Sequence, residues 1–515
     1  MPNVAAVGEL VELILSQLYR SGEQKTLLAC TTVSPLWKEI STRLLWHTVT
    51  LATKVPASEA FADTDTRQIA ALSEQELVGR ICDPEDRARL TRLMRQPKDS
   101  LGTTRTLEIN LEFLLEFHVG PLHYLEEIDL PTEVQEAAWT EFLDRARLIV
   151  TLLHAHTSTL AHIRLYVNVD LESRSMLDKV DFFNILAQII SPHVPISLAF
   201  SSTSSTSIPA ALHLLWPVLP PHARSLEIET TGLWPPSRVV HMMHAIGPLH
   251  TIALTDGARV NQPLVDAIRV SAGTLRVLKL GGAEFFDDAA FVEGVMAACA
   301  RLEVLELDGA FQTWSRVRSG GFFDKIACAG LRVCRAIAEN CGARLHTFVA
   351  NASNVSDTSL DLVLRNCRNL TSLDVSWCEE VTGTAFRDNL AQIAQRLVHL
   401  NIVGCRRLYS TQDSVTSDAN ARLFLTLLKR ASYDMEISMG PCPSDTRMSL
   451  WSLAGSIARA VAFYKAGKDW DGNWEQHRIH SLRSRHVWAL NDILEEGGKV
   501  NVMGLAPFKD ILSEC

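Results

Sequence analysis

Residues 369–381 read NLTSLDVSWCEEV, and residues 396–408 read RLVHLNIVGCRRL. Leu370, Leu373 and Val375 fall at L-x-x-L-x-L spacing, with Cys378 three residues further on. Leu397, Leu400, Ile402 and Cys405 repeat that spacing 27 residues later. A recurrence of this length marks one strand plus a returning segment, which cannot bury its apolar side alone and does so by stacking on its neighbours. The chain is therefore read first as a stack.

Working outward, the strand pattern recurs in TRTLEIN (104–110), YLEEIDL (124–130), LAHIRLY (160–166), VPISLAF (194–200), ARSLEIE (223–229), LHTIALT (249–255), LRVLKLG (275–281), LEVLELD (302–308) and LHTFVAN (345–351). From Ala223 through Leu249, Leu275, Leu302, Leu345, Leu370 and Leu397 the starts are 26, 26, 27, 43, 25 and 27 residues apart. Helical patterns such as LVDAIRVSAGTL, FVEGVMAACARL and LRVCRAIAENCGARL lie between them. Alternating strands and helices place a parallel sheet on one side and helices on the other. The pattern resembles the cysteine-containing class of leucine-rich repeats, most closely from Leu275 to Leu408; before Ala223 the repeats are irregular.

In such a stack the pattern leucines point inward and alternate strand residues face the concave surface. These are Val277 and Lys279, Val304 and Glu306, Thr347 and Val349, Ser372 and Asp374, and His399 and Asn401. Any one of them can be ordinary solvated strand surface; as a row they form the usual recognition face of the fold. Lys279, Glu306, Asp374, His399 and Asn401 are the candidate contacts for a target protein. The 43-residue interval holds an insertion, GAFQTWSRVRSGGFFDKIACAG, in which Trp314, Arg316 and Arg318 are further candidates, Trp and Arg being common binding anchors. The alternative is an enlarged repeat in which Trp314, Phe322 and Phe323 close a small core.

The amino-terminal stretch 9–47, ELVELILSQLYRSGEQKTLLACTTVSPLWKEISTRLLWH, reads as three short helices. Leu10, Leu13, Ile14 and Leu18 share a face of the first, Leu27, Leu28 and Cys30 mark the second, and Ser34 caps a third that carries Trp37 and Ile40. Some 40 residues cannot cover that much apolar surface internally. The segment resembles an F-box, the module by which substrate receptors of cullin–RING ubiquitin ligases dock on the Skp1 adaptor. Glu9, Leu10, Ile14, Leu15 and Leu18 match its first helix, and Leu27, Val33, Ser34 and Trp37 match its L…V-S-x-x-W ending. Ala6-Val7 stand where the family has Leu-Pro, and the first interhelical loop is several residues longer. The following RLLWHTVTL resembles the tail of many fungal F-box proteins.

The resemblance implies that Leu10, Ile14, Leu15, Leu18, Leu28, Val33 and Trp37 dock the adaptor and, through it, a cullin. The repeats would hold the target, and other subunits would transfer ubiquitin. The alternative makes the helices a cap on a repeat scaffold with no ligase role. The expected fold is an α/β solenoid: an F-box-like module (1–50), a helical linker (51–103), leucine-rich repeats forming a curved parallel sheet with outer helices (104–418), and a helical cap (419–515).

A net charge of −10 argues against a general nucleic-acid binder. No apolar stretch is long enough for a membrane span, and Glu9 and Glu12 interrupt the amino-terminal one, so a location in cytoplasm or nucleus is expected. The 11 cysteines include no C-x-x-C pair. Cys378 and Cys405 follow strands, while Cys299, Cys341 and Cys367 close helices, as small buried hydrophobes do. The chain lacks GxxxxGK, GxSxG, HExxH and a GxGxxG after a strand, so no catalytic residue or cofactor is proposed. His477, His480 and His486 are close in sequence, but no nearby Cys or paired carboxylate completes a metal site.

Overall fold

The computed structural model describes residues 104–113, 132–156, 160–169, 174–190, 194–201, 223–229, 236–255, 260–281, 289–308, 330–409 and 414–438, parts of 11–52 and 481–488, and a few positions between. The chain forms two compact units, Met1–Leu249 and His250–Cys515.

In the first unit the strands are β1 (Thr48–Ala52), β2 (Thr106–Phe113), β3 (His118–Val119), β4 (Glu126–Glu127), β5 (His162–Val169), β6 (Ile196–Phe200) and β7 (Ala223–Ile228). β1, β2, β5, β6 and β7 pair side by side in that order, every pair parallel. Along β2, Leu107, Ile109, Leu111 and Phe113 are buried while their neighbours are half exposed, the period-two signature of a sheet covered on one face. The helix Thr132–His156 covers that face with Val134, Ala138, Phe142, Ala146, Ile149 and Leu153, all fully buried at three- and four-residue steps. Trp139 stacks on Phe142 (5.3 Å between ring centroids) and meets Phe113 edge-on at 5.1 Å, and Phe182 of the helix Met176–Ile190 joins them. The guanidinium of Arg174 lies 5.1 Å from the Trp139 ring and 5.3 Å from that of Phe113, with Glu136 3.0 Å away. A planar cation on two aromatic faces, paired to a carboxylate, tolerates burial that a lysine would not.

The second unit contains β8 (Thr251–Leu254), β9 (Val277–Gly281), β10 (Val304–Asp308), β11 (Thr347–Val349), β12 (Ser372–Asp374), β13 (His399–Asn401), β14 (Glu436–Ser438) and β15 (Ser481–Arg483). From β8 to β14 all pairs are parallel. Their register places Ile252, Leu278, Leu305, Phe348, Leu373, Leu400 and Ile437 in one row, each no more than 1% exposed. Burial of such side chains contributes about 1.5–3 kcal/mol apiece. Returning helices are started locally: Asn261 Oδ1 accepts from Leu264 N at 3.0 Å with Pro263 in the first turn, and Ser356 caps the helix Asp357–Asn366. The strand–helix alternation is that of an α/β solenoid of leucine-rich-repeat type.

Three particulars depart from the expected boundaries. In YLEEIDL the described Glu126–Glu127 pairs antiparallel with His118–Val119 and not with the stack. Residues 114–123, which separate β2 from that stretch, are fewer than the dozen or more that a parallel crossover requires. The sheet also begins earlier than 104, at β1, and continues past 418 into β14. β14 lacks the opening leucine because Asp434 stands there, so only its buried Met435 and Ile437 carry the pattern. The expected helix ARLFLTLLKRA lies, but for its last residue Ala431, within Ser414–Arg430, whereas LWSLAGSIARAVAFY and the three histidines lie outside the described residues.

Candidate functional site

The amino-terminal helices carry a small core of their own. Val11, Leu15, Cys30 and Ile40 are buried together, with Leu18 and Trp37 packed against them. The helix Gln24–Cys30 ends in a turn in which Thr31 and Thr32 hydroxyls donate to the carbonyls of Leu28 and Ala29 at 2.7 and 2.8 Å. Ser34 Oγ then accepts from Trp37 N at 3.3 Å, starting the next helix. With Trp37 and Ile40 turned inward, large apolar side chains among the described residues remain outside: Ile14 (43% exposed), Leu28 (63%), Val33 (61%) and Leu36 (38%).

The residues proposed for adaptor contact thus divide. Ile14, Leu28 and Val33 lie on the surface, Leu15 is wholly interior, Leu18 and Trp37 pack on the core, and Leu10 lies outside the described residues. Leu36 was not singled out by sequence, and helical phase would not have found it, because it stands four residues before the buried Ile40, on the same face.

On the open face of the second unit's sheet, the proposed target-binding residues bond to one another across neighbouring strands. Lys279 Nζ lies 3.0 Å from Glu306 Oε1, and Asn401 Nδ2 donates to Asp374 Oδ2 at 2.8 Å. His399 Nδ1 is 3.9 Å from Glu436 Oε2, which also pairs with Arg483 at 2.9 Å. Between these pairs Val277, Val304, Thr347 and Val349 are half exposed. Trp314, Arg316 and Arg318 lie outside the described residues. The face thus carries the ion pairs Lys279–Glu306 and Arg483–Glu436 and an amide–carboxylate hydrogen bond around small side chains. Among the described residues no three His, Cys, Asp or Glu side chains gather as a metal site, and no helix is long and apolar enough to cross a membrane.

The turns that leave β11, β12 and β13 form a third feature, the rim. Cys378 Sγ donates to Ala350 O at 3.1 Å and Cys405 Sγ to Val375 O at 3.0 Å, each reaching the preceding coil. Burial pushes the Cys405 thiol up to about 12, and that of Cys378 well above its usual value, so both stay protonated donors. Asp374 Oδ1 accepts from Ser376 N and Oγ, and Asn401 Oδ1 accepts from Val403 N, fixing the same turn twice. Trp377 N donates to Val403 O at 2.7 Å and Ala352 N to Ser376 O at 2.8 Å.

These bonds force one position of each turn into the left-handed region: Ala352 (φ 50°), Trp377 (φ 60°) and Gly404 (φ 74°). Glycine adopts it freely, whereas a bulky side chain does so at a cost of order 1–3 kcal/mol. The half-exposed Trp377 ring lies against Gly404, where a Cβ would stand 2.5 Å from Trp377 Cδ2. Sequence reasoning did not single out Trp377; the available signal was a tryptophan where the next repeat places Gly404.

No family model matches the chain, and no curated protein does. Among solved structures, the chain is similar to one described as "Crystal structure of Rad7 and Elc1 complex in yeast", at a TM-score of 0.37 and 10% identity. The likeness covers 79% of this chain and 89% of that one. The solenoid assignment rests on strand register and burial.

Proposed function

We propose that this chain is the substrate-recognition subunit of a Skp1–cullin–F-box type ubiquitin ligase, docking the adaptor through its amino-terminal helices and a target protein through its repeats. The observation that carries this reading is the exposed group Ile14, Leu28, Val33 and Leu36 on helices that already possess a core. Among the described residues these helices bury Val11, Leu15, Cys30 and Ile40 yet leave these large apolar side chains at the surface, and such side chains are what helical partners bury. The F-box resemblance names the partner. In this role the chain is no enzyme: it supplies proximity and orientation in the cytoplasm or nucleus, and transfer belongs to other subunits.

Co-purification with a Skp1-type adaptor tests the reading. Leu28→Asp combined with Val33→Asp places two charges on exposed positions, so the fold should persist while adaptor capture is lost. Leu15→Asp puts a charge into the small core and should unfold the helices themselves. Undiminished capture by a folded Leu28→Asp/Val33→Asp protein would show that this surface is not the docking face.

A further inference from the structure

The open face of the first unit's sheet changes character along its strands. Near their starts charges of both signs meet: Glu108 accepts from Thr50 at 3.0 Å and from Arg164 at 2.8 Å, and Arg224 lies near His162. Among the described residues the next two cross-strand rows on that face hold no cation. One contains Asn110, Tyr166 and Glu227; the other begins with Glu112 beside Asn168 and, continuing the register, reaches Glu229. Among the described residues neither Glu112 nor Glu227 forms an ion pair. Burial, then the charges of Glu229 and Glu112, hold the Tyr166 hydroxyl above its usual 10.0, so both carboxylates act on one spot.

Asn168 supplies the second observation. It is 6% exposed, although Arg164 and Tyr166 on the same face of its strand are not buried. The Tyr166 hydroxyl bonds both Asn168 and Ser201, so the tyrosine leans along the strand over the amide. Asn168 Oδ1 itself is enclosed and finds no donor. An enclosed carbonyl oxygen without a donor is costly to keep. Beside Glu112 it completes a group of acceptors that lacks only its donors.

We propose that this end of the first unit's sheet binds an extended, arginine-bearing segment of the target protein, one guanidinium pairing with Glu112 and, as the Tyr166 hydroxyl moves aside, donating to Asn168 Oδ1, and a second meeting Glu227. A planar guanidinium has donors for a carboxylate and an amide oxygen side by side and stacks on an aromatic ring, whereas a lysine brings a single point charge. β2 and β7 are three strand intervals apart, about 14 Å, a span that an extended chain covers between residues i and i+4. The proposal deepens the reading in which the repeats hold a target; adaptor capture does not enter its test, so either can fail alone.

A fluorescein-labelled peptide of glycine and leucine, carrying two arginines four residues apart, is titrated with the full chain and followed by fluorescence anisotropy. The same peptide with two lysines, and with two glutamates, is run at equal ionic strength. The arginine peptide should bind saturably and more tightly than the lysine peptide, and the glutamate peptide should not bind. No saturable binding, or equal binding of either control, overturns the proposal.

Asn168→Leu separates binding from packing. It removes the oxygen at similar volume while Tyr166 keeps Ser201, so the melting temperature should hold or rise. Affinity for the arginine peptide should fall about tenfold, the scale of one hydrogen bond to a charged group. Glu112→Gln, at a half-exposed position, should weaken binding likewise with the fold intact. If Asn168→Leu melts markedly lower, Asn168 is a packing residue; if either variant binds undiminished, its oxygen is not used. Each of these results sinks the proposal.

Discussion

The second unit builds its parallel sheet from a short template used again and again, whereas the first reaches the same arrangement with large, individual side chains. Between 345 and 408 each coil spends three residues on its strand and sets a large apolar side chain in register with the last, and the two later coils close their turns with Cys378 and Cys405. In the first unit β2 and β5 run eight residues each, and one helix spans 25; their contact is filled by Phe113, Trp139, Phe142 and Phe182 with Arg174 over the rings. Parallel strands demand a buried face but not a particular filling. Repetition solves the packing problem once, while aromatic filling solves it afresh in each coil.

The largest way to break this comparison is Trp139→Ala. The side chain is 1% exposed and touches three other rings, so truncation should cost about 3–5 kcal/mol. Hydrogen exchange read by mass spectrometry should show protection falling across 106–200 and unchanged across 345–408. A loss spread evenly over both regions would mean that they do not stand on separate cores.

Cys378→Ala probes the template. It leaves Ala350 O without its donor and should cost about 1–3 kcal/mol by urea denaturation. Cys378→Asn, the other residue this repeat position takes, should recover part of the loss by donating from its amide. In the wild type the thiols of Cys299, Cys341, Cys367 and Cys405, pushed up to about 12 by burial, should resist alkylation at pH 8 until the protein is denatured.

The sheet's open face should matter far less to stability. A double-mutant cycle on Lys279 and Glu306, side chains 39% and 30% exposed, should return a coupling below about 1 kcal/mol, shrinking with salt. The cross-strand pair Arg164–Glu108 in the first unit, 63% and 28% exposed, should behave alike, since solvated pairs do not sense which kind of core lies beneath.

The smallest effect is a slope. Burial, then the charges of Arg164 and Arg224, hold His162 below its usual 6.5. The unfolded chain therefore takes up a proton first, and stability should decline as pH falls from about 7 through 6.5 toward the lower folded value. His162→Asn should flatten that part of the stability–pH curve while keeping a polar partner for Ser197, 3.0 Å from Nε2.

The contrast also explains what could be read in advance. Leu373 and Leu400 announced themselves because each coil must present the same side chain to the same neighbour. β14 did not, because Asp434 replaces the opening leucine where the following strand no longer demands it, and YLEEIDL misled because its composition is right while the chain before it is too short to cross over. For the adaptor surface, sequence supplied the helices but not their sides. Leu15 and Ile14 are adjacent and equally apolar, and only packing against Cys30 and Ile40 decides that the first is interior and the second exposed. Trp377 differs again: its identity was visible, as a tryptophan where the next coil has Gly404, but its left-handed backbone was not.

β15 meets β14 running backwards, pairing Ser438 with Ser481 and Glu436 with Arg483. A reversed strand cannot seed another right-handed coil of the same kind, and Arg483 and Arg485 tie it to Glu436 and Asp434. Proteins made of identical layers risk adding layers from a second molecule, growing into fibres. Among the described residues this sheet ends at β15 with a change of direction, so a second molecule's coil finds no matching template there.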